Sequence, residues 1–173
     1  MKKIFFILCT TLIFQSCTNE DRRLKKEIVG EYSYSTITED EEDDISTVIS
    51  INGTCTFNSD GSCEDIATLA VTYIDEEGEQ TNIKYRCEVF GKYDIQKSHI
   101  IYDYNLENIK IILLKTDDYD ISDFFSEYFI PQLKHEILAN NREKILELTD
   151  KLLKTETEID GEKETVIYIR QSK

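Results

Sequence analysis

Ile49-Ser50-Ile51-Asn52-Gly53-Thr54-Cys55-Thr56-Phe57-Asn58-Ser59-Asp60-Gly61-Ser62-Cys63-Glu64-Asp65-Ile66-Ala67-Thr68-Leu69-Ala70-Val71 decides how this chain folds. Two runs that alternate apolar and polar residues flank a break rich in turn formers, which is the pattern of a β-hairpin. A two-residue loop at Asp60-Gly61 would place Phe57 opposite Glu64 and Ile51 opposite Ala70, turning the stripe Ala67, Leu69, Val71 and Tyr73 to the wrong face. A three-residue loop, a type I turn followed by Gly61 in the left-handed region, moves the register by one. Phe57 then faces Cys63, Ile51 faces Leu69 and Ile49 faces Val71. A one-residue slip flips a whole strand, so the apolar match selects the bulged turn.

The pattern extends in both directions. A loop centred near Gly78 pairs Tyr73 with Ile83, Val71 with Tyr85 and Leu69 with Cys87, giving one apolar face across three strands. Strands are expected over 28–38, 45–57, 63–74, 82–95, 98–104, 108–115, 145–157 and 164–171, the last hairpin turning at Asp160-Gly161. Before that hairpin lies the helical stretch. Asp120 can cap a helix whose stripe is Ile121, Phe124, Phe125, Tyr128 and Phe129, and Pro131 fits the first position of a second short helix, so two helices or one with a sharp kink are expected. The expected fold is mainly β and antiparallel, with a short helical insert before the last hairpin.

The composition narrows the function. Of the 173 residues, 35 are acidic and 20 basic, a net charge of −15 that repels nucleic acid. The acids sit in blocks at 39–44, 75–79 and 117–123 that read as solvated loops; no Asp-x-Asp-x-Asp-Gly-x5-Glu calcium loop occurs, and Asp118-Tyr119-Asp120 lacks both the glycine and the terminal glutamate. There is no Cys-x-x-Cys, no zinc spacing, no Gly-x-Ser-x-Gly, no His-Glu-x-x-His and no phosphate-cradling glycine loop. His99 and His135 lie far apart, in a strand and in the helical insert. No catalytic residue, metal or cofactor is expected, and the chain reads as a non-enzyme. Cys55 and Cys63 lie diagonally on one face, at a separation of about 7–8 Å that is too long for a disulfide, so they and Cys87 are expected as free buried thiols. Phe57, Tyr73, Tyr85 and Tyr93 share the inward face and are the candidate lining of a ligand cavity. The crowding of Leu69, Val71, Ile83 and Val89 on that face favours core filling instead.

At the N-terminus, Lys2 and Lys3 precede an apolar run from Ile4 to Phe14, shorter than the roughly 20 residues that span a bilayer. Leu12-Ile13-Phe14-Gln15-Ser16-Cys17 resembles the lipobox of bacterial lipoproteins. That resemblance implies a signal peptide over 1–16, cleavage before Cys17 and attachment of diacylglycerol, with palmitate-type chains, to its thiol. Removing residues 1–16 discards two lysines and no acid, leaving 157 residues with a net charge of −17. Residues 17–27 then read as a lipidated polar tether, about 30 Å at full stretch, and 28–173 as the barrel domain. Glu20-Asp21 resembles the surface-export signal of Bacteroidota-type lipoproteins, which implies an outer-membrane protein facing the cell exterior.

Three further stretches resemble small lipocalin-like lipoproteins: Ile28-Val29-Gly30-Glu31-Tyr32 as the opening strand, Phe90-Gly91-Lys92-Tyr93-Asp94-Ile95 as the mid-barrel hairpin, and Ile145-Leu146-Glu147-Leu148-Thr149-Asp150-Lys151-Leu152 as the penultimate strand, with Arg170 ending the last. The resemblance implies an antiparallel up-and-down lipocalin-like barrel of about eight strands, closed or nearly closed, of a size able to hold one small ligand or to fill with side chains. The leading expectation is a lipid-anchored, non-enzymatic protein that binds a small apolar ligand or an envelope partner. The rival is a structural or adhesive subunit with a filled barrel.

Overall fold

The computed structural model describes residues 19–42, 45–159 and 161–172. A helix α1 (19–27) leads into β1 (Gly30–Glu42), β2 (Ile45–Phe57), β3 (Ser62–Ile74), β4 (Gln80–Gln96), β5 (His99–Asp103) and β6 (Ile109–Thr116). A helical segment follows, then β7 (Arg142–Leu148), β8 (Leu152–Ile159) and β9 (Glu162–Arg170). Every ladder is antiparallel, and the order β3-β2-β1-β9-β8-β7-β5-β4 closes through β3–β4 into an eight-stranded barrel. β6 is the extra strand. The seventeen-residue β4 is long enough to carry β6 along Ile83–Val89 and β5 along Lys92–Gln96 on the same edge.

The deciding hairpin forms as its apolar pattern requires, with Phe57 opposite Cys63, Ile51 opposite Leu69 and Ile49 opposite Val71. Gly61 sits at φ 85°, and the loop is closed by the Asn58 N–H donating to the Ser62 carbonyl. The next hairpin differs from expectation by two residues: Tyr73 faces Thr81, Val71 faces Ile83 and Leu69 faces Tyr85. Its loop repeats the first. Gly78 is left-handed at φ 80°, the Asp75 N–H donates to the Glu79 carbonyl, and the Asp75 carboxylate accepts from the Glu77 and Glu79 amides. A shift of two preserves each strand's facing, so the apolar face survives it.

Three other expectations are corrected. Residues 19–27 are helical and not an extended tether: Leu24 and Ile28, one turn apart, are buried in the core while Arg23 and Glu27 pair on the wet side at 2.7 Å. The run 145–157 is two strands, because the Thr149 hydroxyl accepts from the Lys151 and Leu152 amides and turns the chain. The helical insert takes the single-helix form of the two expected, running from α2 (Tyr119–Phe124) through a π-helical turn at Phe125–Phe129 to α3 (Ile130–Ala139), and differs from expectation at its cap. Its N-cap is Asp118, not Asp120, with the carboxylate accepting from the Asp120 and Ile121 amides. Pro131 has no N–H to give the preceding turn, and the wide π turn lies just before it.

Two apolar clusters fill the molecule. The one beside α1 contains Leu24, Ile28, Tyr32, Cys55, Phe57, Cys63, Tyr93, Ile95, Ile100, Tyr102, Ile145, Leu153 and Tyr168. The other contains Leu69, Val71, Ile83, Tyr85 and Phe125, and joins the upper parts of β2, β3, β4 and β6 to the helical insert. Only part of the insert's aromatic stripe takes part: Phe125 is buried, whereas Phe124 and Tyr128 are exposed and pack on each other at 5.0 Å.

Candidate functional site

The four expected ligand-lining residues do not gather round one space. Phe57 and Tyr93 belong to the cluster beside α1, where their rings meet edge to face at 5.0 Å. The Tyr93 hydroxyl donates to the Asn58 carbonyl at 3.0 Å. Tyr85 lies in the other cluster, 1 % exposed, with its hydroxyl against the Ser122 carbonyl of α2. Tyr73 packs its ring on Phe125 at 6.3 Å. The inward face proposed for a guest is therefore divided between side chains of the chain itself and the helical insert.

What the barrel gathers instead is a set of acids, phenols and thiols. Asp65 lies opposite Cys55 and shares the inward parity of Cys63, Ala67, Leu69 and Val71. The Tyr34 hydroxyl donates to its carboxylate at 2.8 and 3.1 Å. Burial pushes the Asp65 carboxyl up to about 7, the Tyr34 hydrogen bond working against the shift and the Glu143 charge with it. Glu143 on β7 faces the same interior, one inward position before Ile145. Burial raises its carboxyl too, opposed by hydrogen bonds from Thr155, Tyr102 and Tyr168. Burial likewise drives the Tyr34, Tyr102, Tyr104 and Tyr168 hydroxyls upward. Neither carboxylate is in a salt bridge among the described residues. The cluster can store a proton, since a neutral acid costs less than a charged one in this surrounding. Glycine makes room for it: a methyl group on Gly53 would stand 2.6 Å from the Tyr34 ring, and one on Gly91 2.5 Å from the Tyr104 ring. Sequence reasoning passed over both acids because 35 acids blur any pairing. Their strand parity with buried neighbours was the signal.

The thiols are free, as expected, at Cys55, Cys63 and Cys87. Cys55 and Cys63 are buried, while Cys87 is half-buried. Burial raises Cys55, and pushes both Cys63 and Cys87 to about 11, so none is poised as a thiolate nucleophile. His99 Nδ1 lies 2.8 Å from the Lys97 carbonyl, and His135 is exposed on α3. Among the described residues no cluster of three or more metal-ligating side chains occurs. Cys17 lies outside the described residues.

The end of the barrel next to α1 is locked. Arg170 lies over the Tyr32 ring at 4.9 Å and donates to the Tyr32 hydroxyl and to the Glu27 and Val29 carbonyls, at the C-terminal end of α1 where a cation is favourable. Asp21 holds the β4–β5 turn, its two oxygens accepting from the Lys97 and Ser98 amides at 3.0 Å each. Lys25 reaches Asp94 at 2.6 Å.

On the outside, a hollow of about 710 Å³ crosses the outer face of β1 to β4. Ser33, Ser35, Asn52, Thr54, Thr68 and Arg86 form its polar floor, and Ile167, Ile169 and Leu114 its apolar rim. Those three rim residues are each about half exposed. No protein-family model matches the chain, and no curated protein proved similar to it.

Proposed function

We propose that this is a lipid-anchored envelope protein, attached through Cys17, whose barrel is a non-enzymatic docking module that meets a partner on its outer surface. The division of Phe57, Tyr73, Tyr85 and Tyr93 between two packed clusters carries this reading, because it favours a filled barrel over one holding a small apolar ligand. The position of α1 supports the orientation. Lipid on Cys17 stands two residues before the helix, about 7 Å of chain at most, so the Arg170–Tyr32 end of the barrel lies against the membrane. β1 then carries the sheet about 40 Å outward over thirteen residues. Two or more acyl chains give stable attachment, at about 0.8 kcal/mol for each buried methylene.

The anchor is tested by metabolic labelling. Cys17→Ala should abolish palmitate incorporation and move the protein from the membrane to the soluble fraction. A Cys17→Ala protein that stays lipid-labelled and membrane-bound contradicts the reading. We place the barrel on the cell exterior, on the strength of Glu20-Asp21, and protease added to intact cells tests that placement. Asp21 also holds a turn, so Glu20→Ala is the substitution that probes export without disturbing the fold.

A further inference from the structure

The barrel closes weakly between β1 and β9. β1 pairs with β2 along its whole length, Gly30 to Glu42, but among the described residues its ladder with β9 is limited to Tyr32 and Ser33. β9 in turn pairs with β8 from Glu162 to Ile169. Above Ser33 and Ile169, then, two strand edges face a seam without pairing to each other.

The hydrogen-bonding parity of these edges follows from the last bonds made. The Gln171 N–H donates to the Glu31 carbonyl, and the Arg170 N–H donates across to Lys151 on the β8 side. Odd-numbered residues of both strands therefore present their amides and carbonyls to the seam: Ser35, Ile37, Glu39 and Glu41 on β1, Thr165 and Ile167 on β9. The same alternation sends the side chains of Ser35, Ile37, Ile167 and Ile169 to the outer face. There Ile37 is 68 % exposed, and the 710 Å³ hollow opens at the foot of the seam.

We propose that this seam is a strand-addition site that takes an extended, basic peptide segment of a partner protein. The backbone edge supplies hydrogen bonds, and alternate side chains of the guest meet Ile37, Ile167 and Ile169 on the outer face. β1 and β9 are antiparallel, so an inserted strand runs antiparallel to one wall and parallel to the other. The longer free edge of β1 favours antiparallel addition there. Charge selects the guest: by sequence β1 ends in Glu39-Asp40-Glu41-Glu42 and the β8–β9 hairpin carries Glu156, Glu158, Glu162 and Glu164, against Lys163. Acids on an edge deter pairing with a second copy of the same acidic chain. They favour a guest with lysine or arginine between its apolar residues. This site rests on the docking reading above and gives it a location and a partner class.

The test uses detergent-extracted protein and fluorescein-labelled eight-residue peptides with blocked ends. Alternating lysine and valine should bind by fluorescence anisotropy, more weakly as salt rises. Alternating lysine and proline, equal in charge but unable to donate from every second residue, should bind at least tenfold more weakly, as should alternating glutamate and valine. Ile37→Pro removes an N–H that points into the seam and not to β2, and should cost binding about tenfold. Ile37→Lys, on an exposed position, should do the same by repulsion if the proline variant fails to fold. Equal binding of the lysine–proline peptide, unchanged binding by a folded Ile37 variant, or no binding of the lysine–valine peptide each overturns the proposal. So does concentration-dependent dimerisation that Ile37→Lys abolishes, since it would assign the seam to a second copy. Palmitate labelling is read independently, so a failed seam leaves the anchor reading standing or falling on its own result.

Discussion

Asp65 carries a buried carboxyl whose ionisation is coupled to folding. Its carboxyl is held near 7 in the folded protein and lies near 3.9 in an unfolded chain. Between those values the folded state binds more protons than the unfolded one, so stability falls as pH rises from about 4 to about 7. Each pH unit between the two values is worth about 1.4 kcal/mol. Glu143, also raised, adds to the slope in the same direction. Asp65→Asn keeps an acceptor for Tyr34 but cannot ionise, so its urea midpoint should vary much less with pH over this window and exceed that of the unsubstituted protein at pH 8. An unaltered slope would place the titrating group elsewhere. The facing of Phe57 and Cys63 was legible in the sequence, because a wrong register exposes a whole apolar stripe. The Asp65–Glu143 cluster was not, because it needs both the alternation within β3 and β7 and the closure that brings the two strands round.

Among the elements, α1 and the β4–β5 turn depend on each other. Lys97 and Ser98 both have positive φ, 52° and 57°, without the glycine or asparagine that such a two-residue turn ordinarily uses. The Asp21 carboxylate, accepting from both amides, stabilises the turn from the helix side. Asp21→Ala should cost about 1–2 kcal/mol, by analogy with a lost helix cap, and hydrogen exchange should quicken at the Lys97 and Ser98 amides. Glu20→Ala, on the exposed neighbour, should stay within about 0.5 kcal/mol. Equal effects of the two would show that Asp21 is not supporting the turn. This helix was hidden in the sequence because Leu24 and Ile28 are the only large apolar residues from 19 to 28, too few to set a period. The second hairpin was legible in its facing but not in its register. Asn58-Ser59-Asp60-Gly61-Ser62 and Asp75-Glu76-Glu77-Gly78-Glu79 place glycine at the same position, and applying the first loop's chemistry to the second yields the observed pairing.

For the molecule as a whole, we propose a barrel filled by its own aromatics and anchored at one end, whose closure between β1 and β9 rests on a short ladder. The antiparallel strands could be read from alternation and turns, while their closure into a barrel was legible only through the lipocalin-like resemblance. The weakness of that closure between β1 and β9 could not be read, since sequence patterns give the facing of strands but not how far each ladder runs. A filled interior holds no guest, so native mass spectrometry of gently extracted protein should show the mass of the lipidated chain alone. Tyr85→Ala, which removes a ring packed under α2, should lower stability by about 3–5 kcal/mol with no bound molecule to lose. A stoichiometric small molecule that disappears on Tyr85→Ala would instead make the barrel interior the binding site.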